Sequence, residues 1–353
     1  MIEVGVVGFG WSGRVFHSPL ISSVEGLHLA AVVERHSQEA ASRYPGIRTF
    51  SSLEEMLADP ALGLVVLATP SGAHFEMGRQ ILKAGKHLVI DKPMAAHAGE
   101  IAELIALAKS RRLQLIPFHN RRWDADFLSL RKLLAEGSLG RLVHFSSNFD
   151  RWRPVANPAK AWKQDPAHGG ILLDLGTHLV DQALPLFGKP LAISAEIRSE
   201  RISDQANDSF ALRLRYDELI VELGANTLAA FPRPRFLLRG TKGNFIKNGL
   251  DPQEEALSKI TRIDNARWGE ESTKSWGLLA VDLSGNMVTQ PVPSFAGDYR
   301  LFYSGVRETL NNASPAPVTA IEAWRVARLL EWARESSAQR REISCDWSEE
   351  AQL

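Results

Sequence analysis

One stretch constrains this chain more than any other: Gly8-Phe9-Gly10-Trp11-Ser12-Gly13, set directly after the apolar run at residues 4–7 and directly before a helix-patterned stretch. Between a strand and a helix, glycines at this spacing have separate physical tasks. The first permits a tight turn, the second lets backbone approach a pyrophosphate, and the third lets helix pack close on strand, with the helix N-terminus turned toward negative charge. A glycine-rich turn without a ligand is the competing explanation, so the surrounding sequence has to decide.

The surrounding sequence repeats one rhythm. Residues 4–7, 27–33, 64–68, 87–90 and 113–117 are short apolar runs without polar alternation, the pattern of strands covered on both faces. Residues 14–23, 38–44, 53–58, 75–83 and 98–111 between them carry helical spacing. Ser52 with Glu55 predicts a helix start, and Gly85 predicts a stop. The repeat predicts a doubly wound parallel α/β domain over residues 1–119. Beyond it we expect a second α/β domain, residues 120–353, with helices at 124–136 and 171–187 and a strand at 142–148. Alternating strands at 192–197, 210–216, 220–225 and 236–239 predict a large, mostly antiparallel sheet with one face covered. Residues 248–298 resist assignment, and 321–334 predict a closing amphipathic helix.

Candidate ligand contacts follow from position. Glu34 ends the second strand 21 residues after Gly13, where an acid can accept hydrogen bonds from an adenosine ribose and so favours NAD. Arg35 beside it can stack on adenine or pair with a 2′-phosphate, which keeps NADP equally open. Asp91-Lys92-Pro93 closes the strand at 87–90, and Pro93 disfavours helical geometry at Lys92. The lysine is therefore expected to point into the crevice, where it can stabilise a developing alkoxide beside the nicotinamide. A surface ion pair of Asp91 with Lys92 is the plain alternative.

Farther along, Asp174, His178 and Asp181 fall at i, i+4 and i+7 of a predicted helix, so one face should carry all three. Histidine titrates near neutral pH and a carboxylate can tune it, which suits proton exchange with a hydroxyl. Two rivals are mutual satisfaction of Asp174 and His178 in a packed helix, and a metal site, for which these groups offer too few ligands. Arg151, Trp152 and Trp162, with Arg153 and Asn157, supply the ring faces and polar fingers that a polyol pocket needs. Ordinary loop packing explains the tryptophans as well.

Together with Thr69-Pro70-Ser-Gly-Ala-His74 and His119-Asn120-Arg-Arg-Trp123, this ordered set resembles the Gfo/Idh/MocA oxidoreductases over essentially the whole chain. It is similar to their scyllo-inositol-dehydrogenase-like branch through Phe118-His-Asn-Arg-Arg-Trp-Asp124, Asp150-Arg-Trp-Arg153 and Gly249-Leu-Asp-Pro-Gln-Glu254. The resemblance implies an N-terminal Rossmann domain, a C-terminal domain with an open sheet, and homo-oligomers, dimer or tetramer, paired through that sheet. Lys92 matches the lysine of the family's Glu-Lys-Pro motif, with Asp91 in place of the commoner glutamate, and Asp174 and His178 match its Asp-xxx-His pair. Residues and resemblance together assign the NAD or NADP contacts to Gly8, Phe9, Gly10, Trp11, Ser12, Gly13, Glu34, Arg35, Thr69, Pro70, His74, Asp91, Lys92 and Asn120. Substrate contacts fall to Lys92, Arg151, Trp152, Trp162, Asp174 and His178. The activity implied is hydride transfer between nicotinamide and a secondary hydroxyl of a cyclitol or sugar. In it His178 is the acid/base, Lys92 stabilises the alkoxide, and Asp174 orients His178 or binds a neighbouring hydroxyl. A dinucleotide-binding regulator without turnover is the alternative, and it would have no need of Lys92 and His178.

Composition narrows the partners. Lys+Arg and Asp+Glu each number 41, without the basic excess of a phosphate-neutralising nucleic-acid binder. The neutral total hides 9 basic against 4 acidic residues over 120–163, a modest positive field suited to one small anionic cofactor or an oxyanion. Cys345 stands alone, which removes disulfide frameworks and multi-cysteine metal sites. With no basic stretch before the N-terminal apolar run and no apolar run of membrane length, the expectation is a cytoplasmic protein without a secretory signal or membrane partner.

Overall fold

A computed structural model describes residues 1–35, 38–156, 169–201 and 206–353. Its first sheet is built from β1 (Ile2–Val7), β2 (Leu27–Val33), β3 (Arg48–Phe50), β4 (Leu64–Leu67), β5 (His87–Ile90) and β6 (Leu115–Pro117). All are parallel, in the order β3-β2-β1-β4-β5-β6. The order reverses between β1 and β4, and there the carboxyl ends of the strands leave a crevice. Val4, Val6, Leu64, Val66 and Val89 face one core, whereas Val7, Val65, Leu67, Leu88 and Ile90 face another. Helices cover both faces, which is why these strands are apolar throughout. β3 is an addition to the expected strands: three residues, partly exposed at the sheet edge, with no apolar run to reveal it.

Among the described residues the second sheet has nine strands: β7 (Leu142–Asn148), β8 (Ala192–Arg198), β9 (Ser209–Arg215), β10 (Ile220–Asn226), β11 (Phe236–Gly240), β12 (Gly243–Lys247), β13 (Gly277–Leu283), β14 (Asn286–Val292) and β15 (Ile343–Ser344). They lie in the order β14-β13-β12-β11-β7-β10-β9-β8-β15, antiparallel except for the parallel pair β7 and β10. One face packs on helices Thr177–Phe187 and Ala320–Gln339 through Leu179, Val180, Leu329 and Leu330. The other is open, so in β9 Phe210, Leu212 and Leu214 are buried while Ala211, Arg213 and Arg215 are exposed.

One feature of the unassigned stretch belongs to this sheet. Residues 277–292 form a hairpin whose turn, Ser284 and Gly285, has φ of +56° and +88°. Positive φ at both positions matches the twist of the flanking strands, and the Ser-Gly pair is the local signal for it. The helix Arg300–Asn312, absent from the expected elements, returns to the first sheet and buries Phe302, Tyr303 and Val306 beside Val15, Leu20 and Ile21. The closing helix is longer than expected and packs on both β8 and the helix Ala98–Ser110. The closing helix thus joins the cores of the two sheets, Val326 and Leu329 on one and Ala323 and Trp324 on the other. Among the described residues no helix is long and apolar enough to cross a membrane.

Candidate active site

A cavity of about 580 Å³ opens between the two sheets at the switch point. Its floor is the glycine loop. Gly8 has φ +95°, and a Cβ there would meet Ala68 O at 2.8 Å; a Cβ on Gly13 would collide with Gly8 O, whereas one on Gly10 would meet nothing within 4 Å. The outer two glycines are thus required by packing, and the middle one leaves open space along the cavity. The helix over residues 11–22 begins here, with a π-helical stretch at Gly13–His17. Gly10, Trp11 and Ser12 line the cavity, while Gly8 and Gly13 support it from below.

Asp91 and Lys92 leave β5 at the cavity wall. The Asp91 carboxylate accepts hydrogen bonds from the Ser12 hydroxyl and, at 2.7 Å, from the Lys92 amide, with His17 Nε2 3.7 Å away. Burial would raise its pKa, but His17, Ser12 and Lys92 together hold it well below the usual carboxylate range. The aspartate therefore pins the glycine loop to the lysine's backbone. Lys92 reaches across the cavity and donates from Nζ to Asp174 Oδ1 at 2.9 Å and to Asp174 O at 2.7 Å. Asp174 is set against Lys92, not against His178 as the spacing suggested.

His178 has a different environment. It is 5% exposed, lines the same cavity, and among the described residues its buried Nδ1 has no hydrogen-bond partner. Burial pushes its pKa well below the ordinary histidine value, and the positive charges of Lys92 and Arg121 push it further. A neutral imidazole results. Asp181, expected on the same face, lies outside the cavity, where Arg122 donates to it at 2.7 Å. The turn Leu172–Gly176 before it is π-helical, which takes in more residues than an α turn.

The other expected contacts divide. Thr69, Pro70, Asn120 and Arg151 line the cavity. Phe9 does not; it is buried against Tyr44. His74 also misses the cavity and is 1% exposed, its Nδ1 2.8 Å from Pro93 O and its Nε2 2.8 Å from Thr69 O. It ties together the loops after β4 and β5. Glu34 accepts the backbone N–H groups of Glu39 and Ala40 and so caps the helix Glu39–Arg43, a use of its carboxylate that the ribose reading did not foresee. Arg35 is exposed beside it. Trp152 turns outward, 60% exposed, because its backbone pairs with Leu228 at the sheet margin. Trp162 and Asn157 lie outside the described residues.

Known proteins carry the same plan. A family model for an oxidoreductase family with an NAD-binding Rossmann fold matches residues 2–119, and the model for the same family's C-terminal alpha/beta domain matches residues 131–345. The chain belongs to the Gfo/Idh/MocA oxidoreductase family. It is 36% identical to scyllo-inositol 2-dehydrogenase (NADP(+)) IolW of Bacillus subtilis over 97% of this chain and 95% of that one. It is 37% identical to the oxidoreductase YdgJ of Escherichia coli, covering 96% and 97% of the two chains. Among solved structures, the oxidoreductase yvaA of Bacillus subtilis superposes with a TM-score of 0.94 at 35% identity, covering 98% and 99%. This family member is an NAD(P)-dependent oxidoreductase.

In this oxidoreductase two charged residues of the cavity lining were given no role by sequence reasoning, Arg121 and Glu254. Arg121 donates to Asp124 Oδ2 at 3.3 Å and to Glu254 Oε2 at 2.8 Å. Burial and the Arg121 charge oppose each other at Glu254, and the charge prevails, lowering its pKa. The contact spans 133 residues of sequence. Its signal was present in the two motifs quoted for the resemblance. Asp251 accepts the Ala125 amide at 2.7 Å and Gln253 donates to Trp123 O at 3.1 Å, so the Gly249–Glu254 segment is bound to the start of the helix that follows Arg121.

Proposed function

We propose that this oxidoreductase moves a hydride between nicotinamide and a secondary hydroxyl of a cyclitol or sugar, with residues 1–119 holding the dinucleotide and residues 120–353 most of the substrate. The observation that carries the reading is His178, a neutral imidazole whose Nδ1 has no partner among the described residues, in one cavity with Lys92 and the glycine loop. The name of one relative, scyllo-inositol 2-dehydrogenase (NADP(+)), supports cyclitols as the substrate class. The dinucleotide, when bound, supplies the hydride acceptor or donor. The open space at Gly10 fits a pyrophosphate approaching the backbone of residues 10–12 at a helix N-terminus. Glu34 or Arg35 would hold the adenosine ribose, and Thr69, Pro70 and Asn120 the nicotinamide end.

The proton chemistry belongs to the chain. His178 takes the hydroxyl proton in oxidation and returns it in reduction. Lys92 places positive charge where an alkoxide develops, and Asp174, gripping it with side chain and carbonyl, is a positioning residue. A base must be neutral to accept a proton, and His178 is held below the ordinary histidine value. The kcat/KM for polyol oxidation is therefore expected to stay level as pH falls through about 6.5. A profile that breaks at or above that pH would assign the base to another group.

Inositols and pyranoses offered with NAD⁺ and with NADP⁺, read by the absorbance of reduced nicotinamide, test the reading directly. Turnover of at least one is expected. Silence with every polyol, and no oxidation of NADH or NADPH by keto-cyclitols or keto-sugars, rejects it. Subunit pairing through the open sheet face belongs to the same proposal, supported by Leu278 and Met287 exposed on that face of the β13–β14 hairpin. Light scattering is expected to give a dimer or tetramer, and a monomer at micromolar concentration would remove it.

A further inference from the structure

Charges in the cavity pair off until two remain. Lys92 has Asp174 at 2.9 Å and Arg121 has Glu254 at 2.8 Å, while Asp91 is held by Ser12 and the Lys92 amide. Arg151 and Arg153 also line the cavity, and among the described residues neither side chain has a hydrogen bond or ion pair. Other sequestered arginines differ: Arg122 has Asp181 and Glu322, Arg201 has Asp208, and Arg235 has Asp126. A half-buried guanidinium without a partner gives up hydration for nothing in return.

The arrangement is also preset. The backbone of Arg151 is fixed on both sides, its N–H donating to Asn226 O at 2.9 Å and its carbonyl accepting from Ala229 at 3.1 Å. Burial, then Arg153 and Arg121, lower the pKa of Arg151, and the acids that act on it are Asp174 and Glu254. It therefore stands beside the hydroxyl chemistry, whereas the dinucleotide phosphates are expected at the glycine loop and near Arg35. A guanidinium fork matches the two oxygens of a carboxylate or phosphate.

We infer that the preferred substrate is a polyol bearing an anionic group, carboxylate or phosphate, which Arg151 receives while His178 and Lys92 act on a hydroxyl elsewhere on the same molecule. The inference rests on the hydride-transfer reading of that site. Its test compares kcat/KM for glucose and myo-inositol with that for glucuronate, gluconate, glucose 6-phosphate and inositol monophosphate, in the wild type and in Arg151→Gln. At least one anionic polyol is expected to exceed its neutral counterpart by about 10- to 100-fold, the range of a hydrogen-bonded charge, and R151Q to remove most of that excess through KM. An excess confined to phosphates or to carboxylates identifies the oxyanion. Neutral polyols equal or superior, or an excess that R151Q leaves intact, overturns the inference. Should no polyol of either charge turn over, the hydride-transfer reading fails by itself, and calorimetric titration of the same probes with NADP⁺ present decides the anion site. Binding of an anionic polyol that R151Q weakens at least 10-fold supports it. No binding, binding indifferent to R151Q, or equal weakening of NADP⁺ itself overturns it.

Discussion

Replacing His178 with alanine is expected to lower kcat by about 10²–10⁴-fold, the usual contribution of a positioned acid–base group. The fold should survive, because among the described residues the imidazole's buried Nδ1 has no partner to strand when it is removed. Dinucleotide affinity, read by fluorescence titration, should stay near that of the wild type, which separates lost chemistry from a lost site. His178→Asn is the closer control, since it keeps a polar side chain of similar reach but cannot take a proton at neutral pH. If both variants turned over within a few-fold of wild type, the proton would have to travel by another route. Lys92→Met is expected to fall in the same direction, and with it Asp174 loses the ammonium it holds.

The largest expected loss of stability lies away from the cavity. Lys247, at the end of β12, places Nζ 3.0 Å from Glu271 Oε1 and 2.6 Å from Ser275 O, and both charged side chains are 2% exposed. Glu271→Ala leaves a buried ammonium facing carbonyls alone. Breaking such a pair costs about 3–5 kcal/mol. That is a large share of the roughly 5–15 kcal/mol by which folded proteins are stable. Urea denaturation should show it as an early midpoint. The double variant Lys247→Met with Glu271→Leu is expected to recover most of the loss, because an apolar pair of similar volume has no charge to desolvate. A single variant that lost less than about 1 kcal/mol would mean that water reaches this site, as it does at exposed pairs.

The sequence was most informative where structure is local. Unbroken apolar runs identified the strands β1, β2, β4, β5 and β6 because both faces of that sheet are covered. β3, with Arg48 and Thr49 exposed at the edge, left no such trace. The glycine loop, Lys92, Asp174 and His178 were legible as motifs, and the structure brings Gly10, Lys92, Asp174 and His178 to one cavity. Helical periodicity grouped Asp181 with Asp174 and His178, but the cavity takes only the latter two, and Asp181 is claimed by Arg122. The hairpin at 277–292 fell in the stretch left unassigned, although Ser284-Gly285 marks its turn.

What only the tertiary structure decided is the pairing of charges. Arg122 takes Asp181 across 59 residues and Arg121 takes Glu254 across 133, which leaves Lys92 with Asp174, Arg151 with no partner among the described residues, and His178 neutral. Electrostatic partners are chosen by approach through space, over a few ångströms and in a medium that burial makes less screening. Residue types and their spacing along the chain select the elements and the kinds of chemistry available. Which carboxylate neutralises which cation, and so which groups remain for a ligand, is settled when segments far apart in sequence come together.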